Sequence, residues 1–339
     1  MKAIAHFKCL PIEHPDALVE IDIPEPVPGP RDLLVEVKAV SVNPVDTKVR
    51  QGYVPHEDES QPRILGWDAA GVVKSVGSDV TLFKPGDRVW YAGSLIRPGS
   101  NSELQLVDER IVGSIPQSLD FSEAAALPLT SLTAWELLFD RLGVARDTTD
   151  RGETLLIIGA AGGVGSILTQ LARQLTGLTI IGTASRPETQ TWVTELGAHH
   201  VIDHTKPLSE ELKRIGIAQV SHVASLTQTD RHYEQIIESL KPQGKLGLID
   251  DPATLDAVPL KRKSLSLHWE LMYTRSLYET EDMQEQHNIL NEIARRIDAG
   301  DLRTTVGENY GRISAENLRR AHALLESGKA KGKIVLEGF

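Results

Sequence analysis

Residues 154–174 read TLLIIGAAGGVGSILTQLARQ, and this stretch decides the fold. Leu155 to Ile158 continue an apolar run of the length of a buried strand. A glycine-rich turn follows. Val164, Ile167, Leu168, Leu171 and Leu175 then keep helical spacing up to Gly177, which reads as a stop. Strand, glycine turn and helix in this order aim free backbone N–H groups at a pyrophosphate, so Gly162, Gly163, Val164 and Gly165 are candidate dinucleotide contacts. The pattern departs from G-x-G-x-x-G at one place: with Gly162 and Gly165 as second and third glycines, Ala160 holds the first, and the loop takes a slightly different shape. The plain alternative is a glycine-rich turn without a ligand.

The next strand-like run continues as IIGTASRPETQ, residues 180–190. NAD-binding chains usually place an acid there to hold the ribose 2′-hydroxyl, and an acid repels the 2′-phosphate of NADP. None occurs from Ser166 to Pro187. NADP(H) is therefore the expected coenzyme, with Ser185 as hydrogen-bond donor and Arg186 as the charged partner of the phosphate. The alternative for Arg186 is a solvated residue before a helix opened by Pro187.

Outward from this core, "HVID", "VSHVASL" and "KLGLID" supply further short runs alternating with helical segments, as a parallel α/β sheet with crossover helices requires. Ser122 is a candidate cap for a helix through "EAAAL". Upstream, the first 120 or so residues carry short alternating strands, "LLVEVKAVSV" among them, with turn signals such as "KPGD"; a barrel or sandwich is expected. After about residue 275 come a long polar helix, a second helix and a closing strand, "GKIVLE".

At 339 residues the chain is long enough for about two domains. A net charge of −11 weighs against nucleic acid as a partner, since that requires a basic footprint. Cys9, the single cysteine, excludes an intramolecular disulfide and any zinc site built on two thiolates. No apolar run approaches a signal peptide or a membrane span, so the expectation is a cytoplasmic protein with an intact N-terminus and no membrane partner.

Four stretches together resemble the medium-chain dehydrogenase/reductase superfamily: SVNPVDTKVRQG (41–52), LGWDAAGVVKSVGSDVTLFKPGDRV (65–89), LPLTSLTAWELL (127–138) and GAAGGVGS (159–166). The likeness covers nearly the whole chain and is nearest the quinone oxidoreductase-like and zinc-type alcohol dehydrogenase-like branches. It implies a Rossmann doubly wound parallel sheet over 124–271 and a GroES-like β-barrel domain over 1–123 with 272–339. It further implies that Asn43, Trp67 and approximately Leu129 stand where zinc-dependent members hold the catalytic metal. None of these side chains is a zinc ligand, so zinc is not expected and Trp67 fills that space, bordering the substrate pocket, with an apolar ring.

Without a metal to polarise an oxygen, the substrate must be electrophilic on its own; quinones and α,β-unsaturated carbonyls qualify. The resemblance implies NADPH-dependent reduction of such compounds. It places Asn43 and Thr133 beside nicotinamide and substrate, with Asn43 a candidate donor to the carbonyl. Tyr53 is a candidate to donate a proton or to stack, against a reading as an ordinary loop aromatic. Lys48 stands, by the resemblance, at the place of a proton-relay histidine of the alcohol dehydrogenases, with an exposed lysine as the preferred alternative, and Asp46 reads as a structural turn residue. Lys333 is expected at the pyrophosphate, His204 near the adenine, and the backbone near Leu226 and Ile249 at the nicotinamide. His199, His200 and His204 do not share a helix face and are not read as a metal site. Trp269 and Met272 are candidates for the substrate pocket, with a core or dimer-interface role as the alternative. A homodimer is implied by the family. Two other functions stay open: a zinc-dependent alcohol dehydrogenase, and an NADPH-binding sensor or interaction protein with little turnover.

Overall fold

A computed structural model describes residues 1–54, 58 and 60–339. The chain divides into two compact units, Met1–Leu132 with Tyr273–Phe339, and Thr133–Met272. The first unit runs β1 (Lys2–His6), β2 (Val19–Asp22), β3 (Asp32–Val42), α1 (Pro44–Arg50), β4 (Arg63–Ile64), β5 (Asp68–Val76), β6 (Arg88–Tyr91), β7 (Leu104–Asp108), β8 (Val112–Ser114) and α2 (Phe121–Ala125). Helix α3 (Pro128–Trp135) contains the break, which falls after Leu132 rather than after residue 123. The physical reason is the anchoring of this segment: the Leu129 N–H donates to Asp68 Oδ1 at 2.8 Å, and the Ala126 carbonyl accepts from Thr305 Oγ1 at 3.3 Å.

The second unit runs β9 (Thr154–Ile158), α4 (Gly163–Leu175), β10 (Thr179–Thr183), α5 (Pro187–Glu195), β11 (His200–Ile202), α6 (Leu208–Arg214), β12 (Val220–Ser225), α7 (Thr229–Ser239), β13 (Leu240–Leu248) and β14 (Ser266–Trp269). The chain then returns to the first unit through α8 (Thr274–Leu277), α9 (Glu285–Asp298), β15 (Val306–Asn309), α10 (Ala315–Glu326) and β16 (Lys333–Glu337).

In the first unit β2-β1-β4 form a small antiparallel sheet, and the larger sheet has the order β15-β16-β3-β5-β6-β8, with β7 also on β3. The expected alternation in β3 is present, with Val35, Val37 and Ala39 buried and Glu36 exposed. The small residues of "DAAGVV" in β5 have a steric reason: a Cβ at Gly71 would lie 2.2 Å from the Glu36 carbonyl oxygen. Asp120, not Ser122, caps α2; its carboxylate accepts from the Glu123 N–H at 2.8 Å while Glu123 accepts from the Asp120 N–H at 3.2 Å, a capping box.

In the second unit all strand pairs are parallel and the order is β11-β10-β9-β12-β13-β14. This is the doubly wound arrangement, with its switch point between β9 and β12. Leu156, Ile158, Ile181, Val223, Leu246 and Leu248 are fully buried in its core. The sixth strand, β14, lies at the edge, where Ser266 and His268 dilute the apolar signal that marks the interior strands.

Candidate functional site

The C-terminal ends of β9 to β13 gather the second unit's candidate residues. Gly159, directly after β9, has φ +83°, a conformation that glycine takes without penalty, and its carbonyl accepts from the Gly162 N–H at 3.1 Å. Gly162 is the N-cap of α4, and among the described residues no side chain caps that terminus, which leaves the first-turn N–H groups to an anionic ligand. Gly165 lets the helix close on the turn, because a Cβ there would lie 2.4 Å from the Gly159 oxygen. Ala160 is fully buried, and its Cβ lies 3.0 Å from where Gly182 of β10 would carry one. The turn position without a glycine is thus accommodated by a glycine in β10.

The other groups follow strand by strand. Beyond β10, Arg186 is the N-cap of α5, and its Nε lies 3.3 Å from Glu188 Oε1. The carboxylate absent up to Pro187 is present one residue later. After β11, His204 is half-buried and packs edge-on to His232 of α7 at 6.1 Å between ring centroids; burial lowers the affinity of both rings for a proton. The Leu226 N–H donates to the Ile158 carbonyl and the Ile249 N–H to the Ser225 carbonyl. Asp250 accepts from the Thr229 N–H at 2.8 Å and pairs with its hydroxyl, which ties the ends of β12 and β13 together. Thr133 is buried on α3, and Trp269 on edge strand β14 is 51% exposed.

In the first unit α1, β5 and β16 carry a buried polar cluster. Asp68 Oδ2 accepts from Ser41 Oγ (2.8 Å), Asn43 Nδ2 (2.8 Å) and Lys333 Nζ (2.9 Å), and its Oδ1 accepts from Leu129 N–H. Lys333 Nζ also donates to Asn43 Oδ1. Two sequence expectations change. Lys333, expected at the pyrophosphate, is 3% exposed and turned onto Asp68 and Asn43. Asn43, expected to donate to a carbonyl, has both ends of its amide engaged. Its orientation is fixed, since an ammonium has no acceptor and an ionised carboxylate no donor.

Asp46 closes the helix start after Asn43, accepting from the Asn43 N–H at 2.6 Å. Burial pushes its carboxyl up to about 7, against that backbone bond and the nearby Lys333 charge. Burial, with Asp46 and Asp68 nearby, likewise raises the Tyr273 phenol. Trp67 is fully enclosed, its indole N–H donating to the Ser94 carbonyl at 3.0 Å. Gly66 beside it needs its φ of +99°, and a Cβ there would lie 2.6 Å from Ser100 Oγ. Tyr53 lies after α1 and is 63% exposed. The sequence reading missed Asp68, Tyr273 and the 68–333 pairing; no local pattern links positions that far apart.

An alcohol dehydrogenase GroES-like domain matches residues 29–117 and a zinc-binding dehydrogenase domain matches 196–336. The chain is 41% identical over 340 residues to a zinc-type alcohol dehydrogenase-like protein of Staphylococcus aureus, spanning 99% of each. Among solved structures, it is similar to a Rhizobium etli protein named as a zinc-dependent alcohol dehydrogenase protein (54% identity, TM-score 0.95, 100% of this chain and 98% of that one). It is also similar to Escherichia coli quinone oxidoreductase complexed with NADPH (29% identity, TM-score 0.84, 99% and 100%). The fold and the glycine turn define a dinucleotide-binding oxidoreductase of the alcohol dehydrogenase type. The chain belongs to the medium-chain dehydrogenase/reductase superfamily, with the zinc-type alcohol dehydrogenase-like proteins among its relatives.

Zinc in these names sets a test for this chain's residues, and they do not fit it. The Trp67 indole offers a donor and no lone pair, the Leu129 side chain is aliphatic, and Asn43 is already bound at both ends. Among the described residues no group of three or more His, Cys, Asp or Glu is placed to hold a metal ion.

Proposed function

We propose that this oxidoreductase uses NADPH to reduce quinones or α,β-unsaturated carbonyl compounds by hydride transfer without a metal. The observation that carries the reading is that Trp67 donates its indole N–H to Ser94 and Asn43 is engaged at both ends of its amide, so neither side chain supports zinc binding. A simple ketone then lacks activation, whereas hydride added to a quinone or enone gives a delocalised hydroquinone anion or enolate. The coenzyme supplies the hydride, two electrons and one proton; a second proton from solvent or a side chain completes the product.

Within the chain's own residues, the Gly162–Gly165 turn binds the pyrophosphate and Ser185 with Arg186 the 2′-phosphate. His204 borders the adenine, the Leu226 and Ile249 backbone holds the nicotinamide, and Thr133 and Tyr53 are the candidates to contact substrate. The similarity to an NADPH-bound quinone oxidoreductase supports this reading. We further propose a cytoplasmic homodimer. No helix among the described residues is long and apolar enough to cross a membrane, and edge strand β14 leaves Trp269 and, just beyond it, Leu271 half exposed.

The test is steady-state oxidation of NADPH and NADH by chelator-treated protein with a naphthoquinone and a 2-alkenal. Turnover that prefers NADPH and survives chelation is expected. Activity lost to the chelator and restored by zinc would establish the alcohol dehydrogenase reading instead, and tight NADPH binding without turnover over both acceptors the sensor reading.

A further inference from the structure

We propose that the Lys333 ammonium is the resident cation of the first unit's buried site, standing where a metal would otherwise balance the carboxylate of Asp68. Three observations carry this. The Nζ atom donates to one oxygen each of Asp68 and Asn43, with Lys333 and Asp68 both enclosed. Those oxygens, with Asp46, form an all-oxygen set of the kind that suits a hard divalent cation. Tyr273 Oη, on a phenol whose pKa is raised by burial with Asp46 and Asp68 nearby, is buried and has no hydrogen-bond partner among the described residues, so polar capacity near these carboxyl groups is left over.

An ammonium is a compact point charge on a flexible stem, which lets it fill a cation's place from strand β16. Without it the enclosed Asp68 carboxylate would lose its ammonium partner, and that cost holds Lys333 inward. Lys333 is therefore a positioning residue: it holds Asp68, and through Asp68 the Leu129 N–H and the start of α3. The inference rests on the metal-free half of the function proposed above and is independent of coenzyme and acceptor.

The experiment measures metal content by plasma mass spectrometry and melting temperature with manganese as the probe. Purified wild type is expected to carry well below one equivalent of any divalent metal and to melt unchanged after chelation or manganese addition. Lys333→Ala is expected to melt about 5–10 °C lower. Manganese should recover several degrees in that variant, and none in Lys333→Ala combined with Asp68→Asn. Should Lys333→Ala fail to fold, Lys333→Met with Asp68→Asn, which removes both charges, is expected to be more stable than Lys333→Met alone.

Stoichiometric metal in wild type would overturn both this inference and the metal-free function. Metal-free wild type together with an undisturbed Lys333→Ala, a variant blind to manganese, or a double variant no better than the single would overturn this inference alone.

Discussion

Arg186 and Glu188 show how far a single residue can be read from sequence. The lack of an acid up to Pro187 argues for NADP(H), yet the fold sets the Glu188 carboxylate 3.3 Å from the Arg186 guanidinium. A 2′-phosphate bound by Arg186 would meet that carboxylate as a like charge. Arg186→Ala is expected to raise the KM for NADPH about tenfold and leave NADH within about twofold. Glu188→Gln should lower the NADPH KM by about two- to threefold, in keeping with a solvent-exposed pair. Steady-state KM values for both coenzymes decide it; an NADPH KM indifferent to Arg186→Ala would remove Arg186 from the phosphate site. The glycine turn was legible because its signal is local. Asn43 and Lys333 were legible as residues to watch but not in their partners, since a hydrogen bond across 290 positions leaves no trace in spacing.

At the scale of elements, the four interior strands of the parallel sheet and its edge strand β11 announced themselves through short, mainly apolar runs. Strand β14 did not, being short, partly polar and covered on one side only. Helix α10 held a feature that no periodicity shows: His322 is fully buried against Arg50 of α1, which reaches Glu326 of the same helix and the Leu10 carbonyl, with His6 of β1 nearby. Burial first, then the Arg50 charge and His6, brings its pKa down from 6.5 to about 3. The unfolded chain takes a proton below about pH 6.5 and the folded chain does not, so the contribution is full above that pH and falls by roughly 1 kcal/mol per pH unit toward pH 3. Urea unfolding from pH 7 to pH 4 is expected to show His322→Asn losing less stability than wild type over this range. Parallel curves for the two proteins would show that His322 does not carry the acid sensitivity.

For the whole molecule, net charge weighed against nucleic acid partners in the sequence reading but could not indicate self-association. The half-exposed Trp269 on an open sheet edge supports the dimer proposed above, and light scattering tests it. Wild type is expected at twice the chain mass and Trp269→Asp at or near the chain mass; a wild-type monomer would remove the proposal. The division into units also went beyond the reach of local patterns, since the first break falls within α3, where no turn residue marks it. That division imposes an order on synthesis. The second unit is a single run of chain, complete in sequence once Met272 has emerged from the ribosome, while the first waits for β16 to pair with β3. Until Lys333 emerges, Asp68 lacks its ammonium partner, and a nascent chain paused short of that strand leaves β3 without its β16 neighbour.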